Sequence, residues 1–181
     1  MSRTDVRLSG TGGQGIVLAG QILGQAVSLY EKGKFATLTQ SYGPEARGGS
    51  CCAEVVISNE PVGYPYVISP RVLVIMSQEA YKKFIPNLGP ETLVIIDSDL
   101  VKPTTSRTFK ILSIPATNLA REMGRVVVAN IIMLGFLAAV SDVVSPEALK
   151  KSILATVPEG TGEFNIKAFE RGYKYGLEHR K

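Results

Sequence analysis

The sequence contains no tryptophan, only two cysteines and a single histidine among its 181 residues. The cysteines are neighbours, Cys51 and Cys52, and the histidine is His179 near the C-terminus. Adjacent residues of a strand point to opposite faces, so these two thiols are poorly placed to form a disulfide with each other. A tetrahedral metal site or an iron–sulfur cluster needs more ligands of this kind. We therefore expect no metal site in this chain and no Ser–His catalytic pair.

Long hydrophobic runs are also missing. The longest run, residues 126–140, is shorter than the roughly 20 residues that span a bilayer, and it contains Asn130. It predicts a buried helix from about Arg125 to Ala139. The N-terminal segment lacks the apolar region of a signal peptide. Together with the few cysteines, this favours a cytoplasmic protein without a membrane span.

The basic residues form no cluster. The formal net charge is +4, but the basic side chains are scattered, with only short pairs such as Lys82-Lys83 and Lys150-Lys151. Nucleic-acid-binding proteins usually gather their basic residues into one patch. The pattern predicts an ordinary solvated surface and no nucleic-acid partner, while a weak preference for an anionic ligand stays open.

What the chain does contain is an alternation of strand and helix patterns. Val, Ile, Leu and Ala dominate the apolar residues, which suits a parallel sheet covered by helices. Two strands within residues 34–58 are joined by a loop too short for a helical crossover, so this pair should be antiparallel. The sequence predicts a single α/β domain over residues 1–181. It has three layers, with a mixed, mostly parallel sheet flanked by helices.

Several helix ends carry local signals. Ser77 and Ser145 are predicted N-caps, and Asn165 is the predicted cap of the last helix. In that last helix, Gly172 and Gly176 offer a place where another backbone can approach closely.

A glycine-rich segment joins the first predicted strand to the first helix, as in a Rossmann-like loop. It matches the pattern G-x-G-x-x-G. The acidic residue that would hold a ribose at the end of the second strand is missing, which weakens a dinucleotide interpretation. Three alternatives stay open: a tight turn without ligand, an anion site at the helix N-terminus, and a surface packed against a partner. The candidate residues are Gly10, Gly12, Gly13, Gln14 and Gly15.

A second glycine-rich loop, "SYGPEARGG" at 41–49, follows the second strand. One interpretation is a surface turn on which Glu45 and Arg47 form a weak ion pair. The other is a functional loop, because Arg can bind a carboxylate or phosphate with two hydrogen bonds and glycines permit close approach. The candidate residues are Tyr42, Glu45, Arg47, Gly48 and Gly49.

Three further polar residues lie in apolar surroundings. Asp97 and Asp99 follow a buried strand, where an α/β sheet presents ligand groups, but capping of a turn or helix explains them equally well. For Asn130 we expect a local hydrogen bond in the core or at an interface.

Taken in order, four segments resemble one known family. They are "GTGGQGIVLAGQILGQA", "TQSYGPEARGGSCCAEVVIS", "GRVVVANIIMLG" and "NIKAFERGY". Together they resemble the gamma subunit of 2-oxoacid:ferredoxin oxidoreductases, over about residues 3–177. One departure is Arg71, where the family tends to have an acidic residue.

The resemblance implies a subunit of a complex that converts a 2-oxoacid and coenzyme A to acyl-CoA, carbon dioxide and reduced ferredoxin. Thiamine diphosphate, magnesium and iron–sulfur clusters would lie on alpha, beta and delta-type subunits, so this chain would bind no cofactor alone and would be inactive alone. The glycine segment would then form an anion site or an interface. The candidate residues of the second loop, Tyr42, Glu45, Arg47, Gly48 and Gly49, would form an interface or line the coenzyme A approach. The alternatives are a stand-alone nucleotide-binding module and a purely structural subunit. We also expect the isolated chain to self-associate, as a homodimer for example. The substrate could be pyruvate, 2-oxoglutarate or a branched-chain 2-oxoacid.

Overall fold

A computed structural model describes residues 3–43, 49–104 and 110–179. Within them, six strands form one sheet in the order β2-β3-β1-β4-β5-β6. Only β3 runs against its neighbours, so the β2–β3 and β1–β3 pairs are antiparallel and the other pairs are parallel. This confirms the mixed sheet and its antiparallel pair. The strands are β1 Arg3–Thr11, β2 Phe35–Tyr42, β3 Ser50–Ser58, β4 Val72–Ile75, β5 Leu93–Asp97 and β6 Lys110–Ile114.

Helices cover both faces of the sheet, but unequally. The larger core includes residues from α1, α3, α4, α5 and α6, whereas the smaller core packs α2 against the opposite face of β4 and β5. The helices are α1 Ile16–Tyr30, α2 Gln78–Phe84, α3 Ala116–Glu122, α4 Ala129–Val140, α5 Pro146–Thr156 and α6 Gly162–His179.

Strand β4 shows why a continuous apolar run forms the centre of the sheet. Val72 and Val74 belong to the larger core, while Leu73 and Ile75 belong to the smaller one. Side chains of a strand alternate between faces, so a strand that is buried on both faces must be apolar at every position.

Two of the predicted helix caps are confirmed and one is wrong. The hydroxyl groups of Ser77 and Ser145 accept hydrogen bonds from the third residue beyond them, at 3.2 Å each. The prediction for Asn165 was wrong because α6 begins earlier, at Gly162. The backbone N–H of Asn165 already donates to the Thr161 carbonyl at 3.1 Å, which places Asn165 inside the first turn.

The apolar helix also begins later than its composition suggested. A 3₁₀ turn at Val126–Val128 precedes α4, which begins at Ala129. Helix α4 packs along α6, and its contact includes Gly135 as well as the predicted Gly172 and Gly176. A side chain at Gly172 would overlap the carbonyl oxygen of Ile132, so the predicted close approach of two backbones is confirmed.

Candidate functional site

The carboxyl edge of the parallel strands brings the glycine segment, Tyr42 and Gly49 to one side of the molecule. Strand β1 leads into α1 on one face of the sheet, and β4 leads into α2 on the other face. Neighbouring strands whose connections leave to opposite faces create a crevice at their carboxyl ends, and ligands of open α/β sheets bind there. In this chain that crevice lies between β1 and β4.

Hydrogen bonds within the protein occupy several N–H groups of the glycine segment. Thr11 donates its backbone N–H to Oε1 of Gln14 at 2.7 Å. Gly12 donates to the Gly49 carbonyl at 2.9 Å, and Gln14 donates to the Thr11 carbonyl at 3.3 Å. These donors would have to contact a phosphate in a dinucleotide-binding loop. The segment is therefore built chiefly as an internal connection.

The Gln14 side chain fills the crevice itself. Its Nε2 donates to the carbonyl of Met76, at the end of β4, at 2.7 Å. A Cβ atom at Gly10 would overlap Oε1 of Gln14. Gly10 therefore makes room for an internal side chain that joins the ends of β1 and β4.

Gly15 and Asn130 join α1 to α4. Gly15 precedes α1 with a φ of +71°, and its carbonyl accepts a hydrogen bond from Nδ2 of Asn130 at 3.0 Å. Oδ1 of Asn130 accepts from the N–H of Ile131 at 2.9 Å. The side chain is buried and satisfied, so the expected local hydrogen bonding of Asn130 is confirmed.

The two described ends of the second candidate loop lie at the same edge as the glycine segment. Tyr42 is the last residue of β2 and is 65 % exposed, whereas Gly49 is buried where its carbonyl accepts from Gly12. Glu45, Arg47 and Gly48 lie outside the described residues. The structure thus brings the two ends of this loop to the same edge of the sheet as the glycine segment.

A cleft of about 370 Å³ opens next to this edge. Three of its lining residues are apolar yet exposed: Leu100 at 39 %, Val126 at 49 % and Val127 at 67 %. We call these three residues the apolar rim. The rim could not be predicted from the sequence pattern, because its two valines belong to an apolar run that is typical of a buried helix. The cleft is lined by Gly13, Gln14, Met76, Leu100, Thr117, Val126, Val127 and Ala129.

Asp97 and Asp99 cap α3. Asp97 accepts hydrogen bonds from the N–H of Thr117 at 3.1 Å and from its hydroxyl at 2.6 Å. Asp99 accepts from the N–H of Asn118 at 2.7 Å. Burial raises the pKa of Asp97 above its ordinary value, although the hydrogen bonds from Thr117 lower it. Of the two interpretations left open, capping is the one that these contacts support.

The cysteines face opposite sides of the sheet and are both buried. Burial raises the pKa of Cys52 to about 11 and also raises that of Cys51. A thiol with such a pKa is protonated at neutral pH and is a poor nucleophile. Across the described ranges, no three His, Cys, Asp or Glu side chains come together as a group that could hold a metal ion.

Arg71, the departure from the family pattern, lies at the opposite edge of the sheet. Its side chain forms an exposed ion pair with Asp142 at 2.8 Å. It also lines a separate cleft of about 470 Å³ with Arg3, Asp5 and Glu91. The unusual residue is therefore remote from the glycine segment and from Tyr42 and Gly49.

Comparison with known proteins gives a match over nearly the whole chain. The family model described as pyruvate ferredoxin/flavodoxin oxidoreductase matches residues 5–175. The chain belongs to this family. This confirms the family resemblance that was inferred from the four sequence segments. A 2-oxoglutarate synthase subunit KorC from Methanocaldococcus jannaschii is 48 % identical over 179 residues, covering 97 % of this chain and 95 % of the relative.

Two solved structures of related proteins share the fold. The gamma subunit of a keto/oxoacid ferredoxin oxidoreductase from Geobacter sulfurreducens is 40 % identical, with a TM-score of 0.90 and full coverage of both chains. The 2-oxoglutarate:ferredoxin oxidoreductase of Magnetococcus marinus, solved with 2-oxoglutarate, coenzyme A and succinyl-CoA bound, has a TM-score of 0.86 at 22 % identity. That match covers 98 % of this chain and 32 % of the larger chain. At this identity the likeness shows the fold alone.

No helix in the part of the chain that the structure describes is long and apolar enough to cross a bilayer. The buried helix α4 accounts for most of the longest apolar run. Its hydrophobic residues serve the core of the domain.

Proposed function

We propose that this chain is the gamma subunit of a 2-oxoacid:ferredoxin oxidoreductase. The complex oxidatively decarboxylates a 2-oxoacid in the presence of coenzyme A, giving acyl-CoA and carbon dioxide and passing the electrons to ferredoxin. The observation that carries this proposal is the match at 48 % identity over 97 % of the chain to a subunit of 2-oxoglutarate synthase. That relative also makes 2-oxoglutarate our proposed substrate, ahead of pyruvate and branched-chain 2-oxoacids.

In this proposal the partner subunits hold the thiamine diphosphate, magnesium and iron–sulfur clusters. The two cysteines of this chain are buried, and burial raises the pKa of both thiols, so they are unsuited to hold a cluster or to attack a substrate. Asp97 and Asp99 are engaged in capping α3. The contribution of the chain is therefore to pack against the cofactor-bearing subunits.

We assign the docking surface to the carboxyl edge of the sheet. The apolar rim leaves Val126 and Val127 half-exposed or more beside a concave cleft. Contiguous exposed apolar side chains around a concavity are typical of a surface that another protein covers. Tyr42 and Gly49 lie at the same edge, and we place Glu45, Arg47 and Gly48 in the same interface, next to the coenzyme A approach.

A stand-alone nucleotide-binding module is the competing function. It would use the glycine segment, but the N–H groups of Thr11 and Gln14 donate to each other's residue and that of Gly12 donates to the Gly49 carbonyl. The Gln14 side chain also fills the space above Gly10. Titration of the purified chain with NAD(P) should therefore show no saturable binding, and tight binding would favour the module instead.

Anaerobic co-purification from the native host tests the assignment. A tagged chain should recover the thiamine-bearing and cluster-bearing subunits together with 2-oxoacid-dependent dye reduction. Comparing 2-oxoglutarate, pyruvate and 2-oxoisovalerate as substrates would then identify the oxoacid. Recovery of the chain alone, without activity, would contradict the proposal.

A rim substitution tests the docking surface. Val127→Asp places a charge in the proposed interface and should reduce recovery of the partner subunits at least about tenfold, because burying an unpaired charge is costly. Leu29→Asp is the matched control, since Leu29 is also 67 % exposed but lies on α1 away from this edge. Equal recovery with both variants would show that the rim is not the interface.

Arg47 tests the coenzyme A part of the proposal separately. Arg47→Ala should weaken assembly or raise the Michaelis constant for coenzyme A in the complete complex. If both stay unchanged, the loop at 41–49 has neither role. Arg71→Ala provides the control, because Arg71 is exposed at the opposite edge.

A further inference from the structure

Strand β2 forms one edge of the sheet and carries none of the usual protection against pairing with another strand. Its eight residues, FATLTQSY, include no charged residue and no proline. Natural proteins commonly protect a long edge strand with lysine, proline or a bulge. An unprotected edge of this length indicates that another strand covers it.

The hydrogen-bond pattern shows which backbone groups of β2 face outward. Gly43 donates its N–H to the Ser50 carbonyl at 2.7 Å. The backbone N–H and C=O groups of the odd-numbered residues of β2 therefore point toward β3. The backbone N–H and C=O groups of the even-numbered residues point away from the sheet. Ala36 agrees with this, because its N–H donates to the Ser28 hydroxyl at 3.2 Å from outside the ladder.

The Ser28 side chain thus contacts the outward backbone of Ala36 at the beginning of the edge. The remaining residues with outward backbone groups are Leu38, Gln40 and Tyr42. We call these three residues the free edge. Among the described residues, no hydrogen-bond partner is found for their outward backbone groups. Gln40 and Tyr42 also have exposed side chains.

We propose that the free edge pairs antiparallel with the free edge of a second copy of this chain, about a twofold axis at Gln40. In this register Leu38 faces Tyr42 of the second copy, and Gln40 faces its own counterpart. Each of these pairs can exchange both N–H···O=C bonds, because all three residues present outward groups. A shift toward the N-terminus would pair Ala36, whose N–H already donates to Ser28.

The side chains of β2 are self-complementary in the same register. On the α1 face, Leu38 of each copy lies opposite Tyr42 of the other copy, so the same aliphatic–aromatic pair forms twice. On the other face, Thr39 meets Ser41, a pair that can form a hydrogen bond across the strands. Since β2 carries no charge, no like charges are brought together. A second copy therefore provides hydrogen-bond partners for the outward backbone groups of the free edge without any change in the strand.

The contact is short, and we expect a weak dimer with a dissociation constant in the micromolar range, at the low end of specific interfaces. The free edge shares Tyr42 with the carboxyl edge to which the docking surface is assigned, but it includes no residue of the apolar rim. The inference therefore does not rest on the proposed function, and each can fail without the other.

The experiment uses the chain of 181 residues and exploits the position of Gln40 on the twofold axis. Analytical ultracentrifugation should show a concentration-dependent shift from 19.5 kDa toward twice that mass. Gln40→Glu and Gln40→Lys should each raise the dissociation constant at least about tenfold at low salt, because like charges would face each other. An equimolar mixture of the two variants should dimerise again. Gln21→Glu, on the exposed part of α1, is the matched control and should dimerise like the wild type.

Hydrogen exchange provides a second readout. The amides of Leu38, Gln40 and Tyr42 should become protected as the concentration of the chain rises. A monomer at all concentrations, or a dimer that is insensitive to both charges at Gln40, would overturn the proposal. Protection of these amides only after cofactor-bearing subunits are added would also overturn it, since a partner strand would then cover the edge.

Discussion

At the scale of single residues, Gly15 and Asn130 connect two helices whose residues lie 115 positions apart in the sequence. Gly15 has a φ of +71°, and a Cβ atom at this position would overlap Nδ2 of Asn130. Both the backbone conformation and the neighbouring amide therefore require glycine. The two effects can be separated, because Gly33 has a φ of +69° and open space around it.

We expect Gly15→Ala to destabilise the protein more than Gly33→Ala. The left-handed backbone alone costs roughly 1–2 kcal/mol in either variant. The overlap with Asn130 should add about 1–3 kcal/mol to Gly15→Ala. Urea unfolding followed by circular dichroism measures both free energies. Asn130→Ala should partly relieve the overlap, so the double variant should lose less stability than the sum of the two single variants. Equal losses for the two glycine variants would contradict the steric role of Asn130.

Asp97 makes stability depend on pH in a direction that the structure determines. Burial raises its pKa above the ordinary value of 3.8 in the folded chain. The folded chain therefore holds this proton more tightly than the unfolded chain does. The contribution of Asp97 to the free energy of unfolding is fully present below the unfolded pKa and decreases as pH rises through the folded pKa.

Asp97→Asn removes this titration. The free energy of unfolding of the wild type minus that of the variant should be largest at acidic pH and should decrease toward neutrality. Urea titrations between about pH 3.5 and about pH 7 measure this difference. Asp99→Asn is the control for removing a carboxylate from the same end of α3. A difference that grows with pH would show that hydrogen bonding to Thr117, rather than burial, dominates the pKa of Asp97.

The roles of individual residues were the hardest part to predict from sequence. The pattern located the glycine segment, but it could not show that Gln14 reaches the Met76 carbonyl, 62 residues away. In the same way, Asp97 caps a helix that begins about 20 residues later. Such contacts depend on which strands are neighbours, and local patterns carry little information about this.

At the scale of elements, glycines determine how closely α4 and α6 pack. A Cβ atom at Gly172 would overlap the carbonyl oxygen of Ile132, and one at Gly135 would overlap that of Phe169. Because backbone atoms on both helices are involved, the helices would have to move apart. Gly24 on α1 provides a contrast, since the nearest atom to its Cβ position is 4.0 Å away, at Val55.

Gly172→Ala and Gly24→Ala should change stability in opposite directions. We expect Gly172→Ala to lower the free energy of unfolding by about 1–3 kcal/mol. Gly24→Ala should raise it by roughly 0.5–1 kcal/mol, because alanine loses less backbone entropy in a helix. Thermal unfolding of the two variants measures both effects. A Gly172→Ala variant as stable as the wild type would show that α4 and α6 tolerate a wider spacing.

Elements were predicted best where local chemistry determines them. The Ser77 and Ser145 caps depend on contacts within one turn, and both were found from sequence. The start of α6 was missed because Asn165 is a good cap in isolation, while the helix extends back to Gly162. The 3₁₀ turn at Val126–Val128, in which Val126 and Val127 are exposed, was missed because three valines resemble a buried helix. In both cases the boundary depends on packing that a local pattern does not contain.

At the scale of the whole molecule, the two cores share the same strands. Val74 and Ile95 belong to the larger core, whereas Ile75 and Ile96, their neighbours in the chain, belong to the smaller one. Loss of packing on one face must therefore disturb the strands that support the other face. The chain should behave as a single cooperative unit although its helices are distributed unequally between the faces.

Ile22→Val and Ile75→Val test this cooperativity, because each removes one buried methylene from a different core. Each should lower the free energy of unfolding by about 0.5–1.5 kcal/mol. Both should shift one common transition, with the same midpoint by far-ultraviolet circular dichroism and by tyrosine fluorescence. The double variant should show the sum of the two losses, since the side chains lie on opposite faces of the sheet. Two separate transitions, or midpoints that differ between the probes, would show that the face covered by α2 unfolds independently of the face covered by α1.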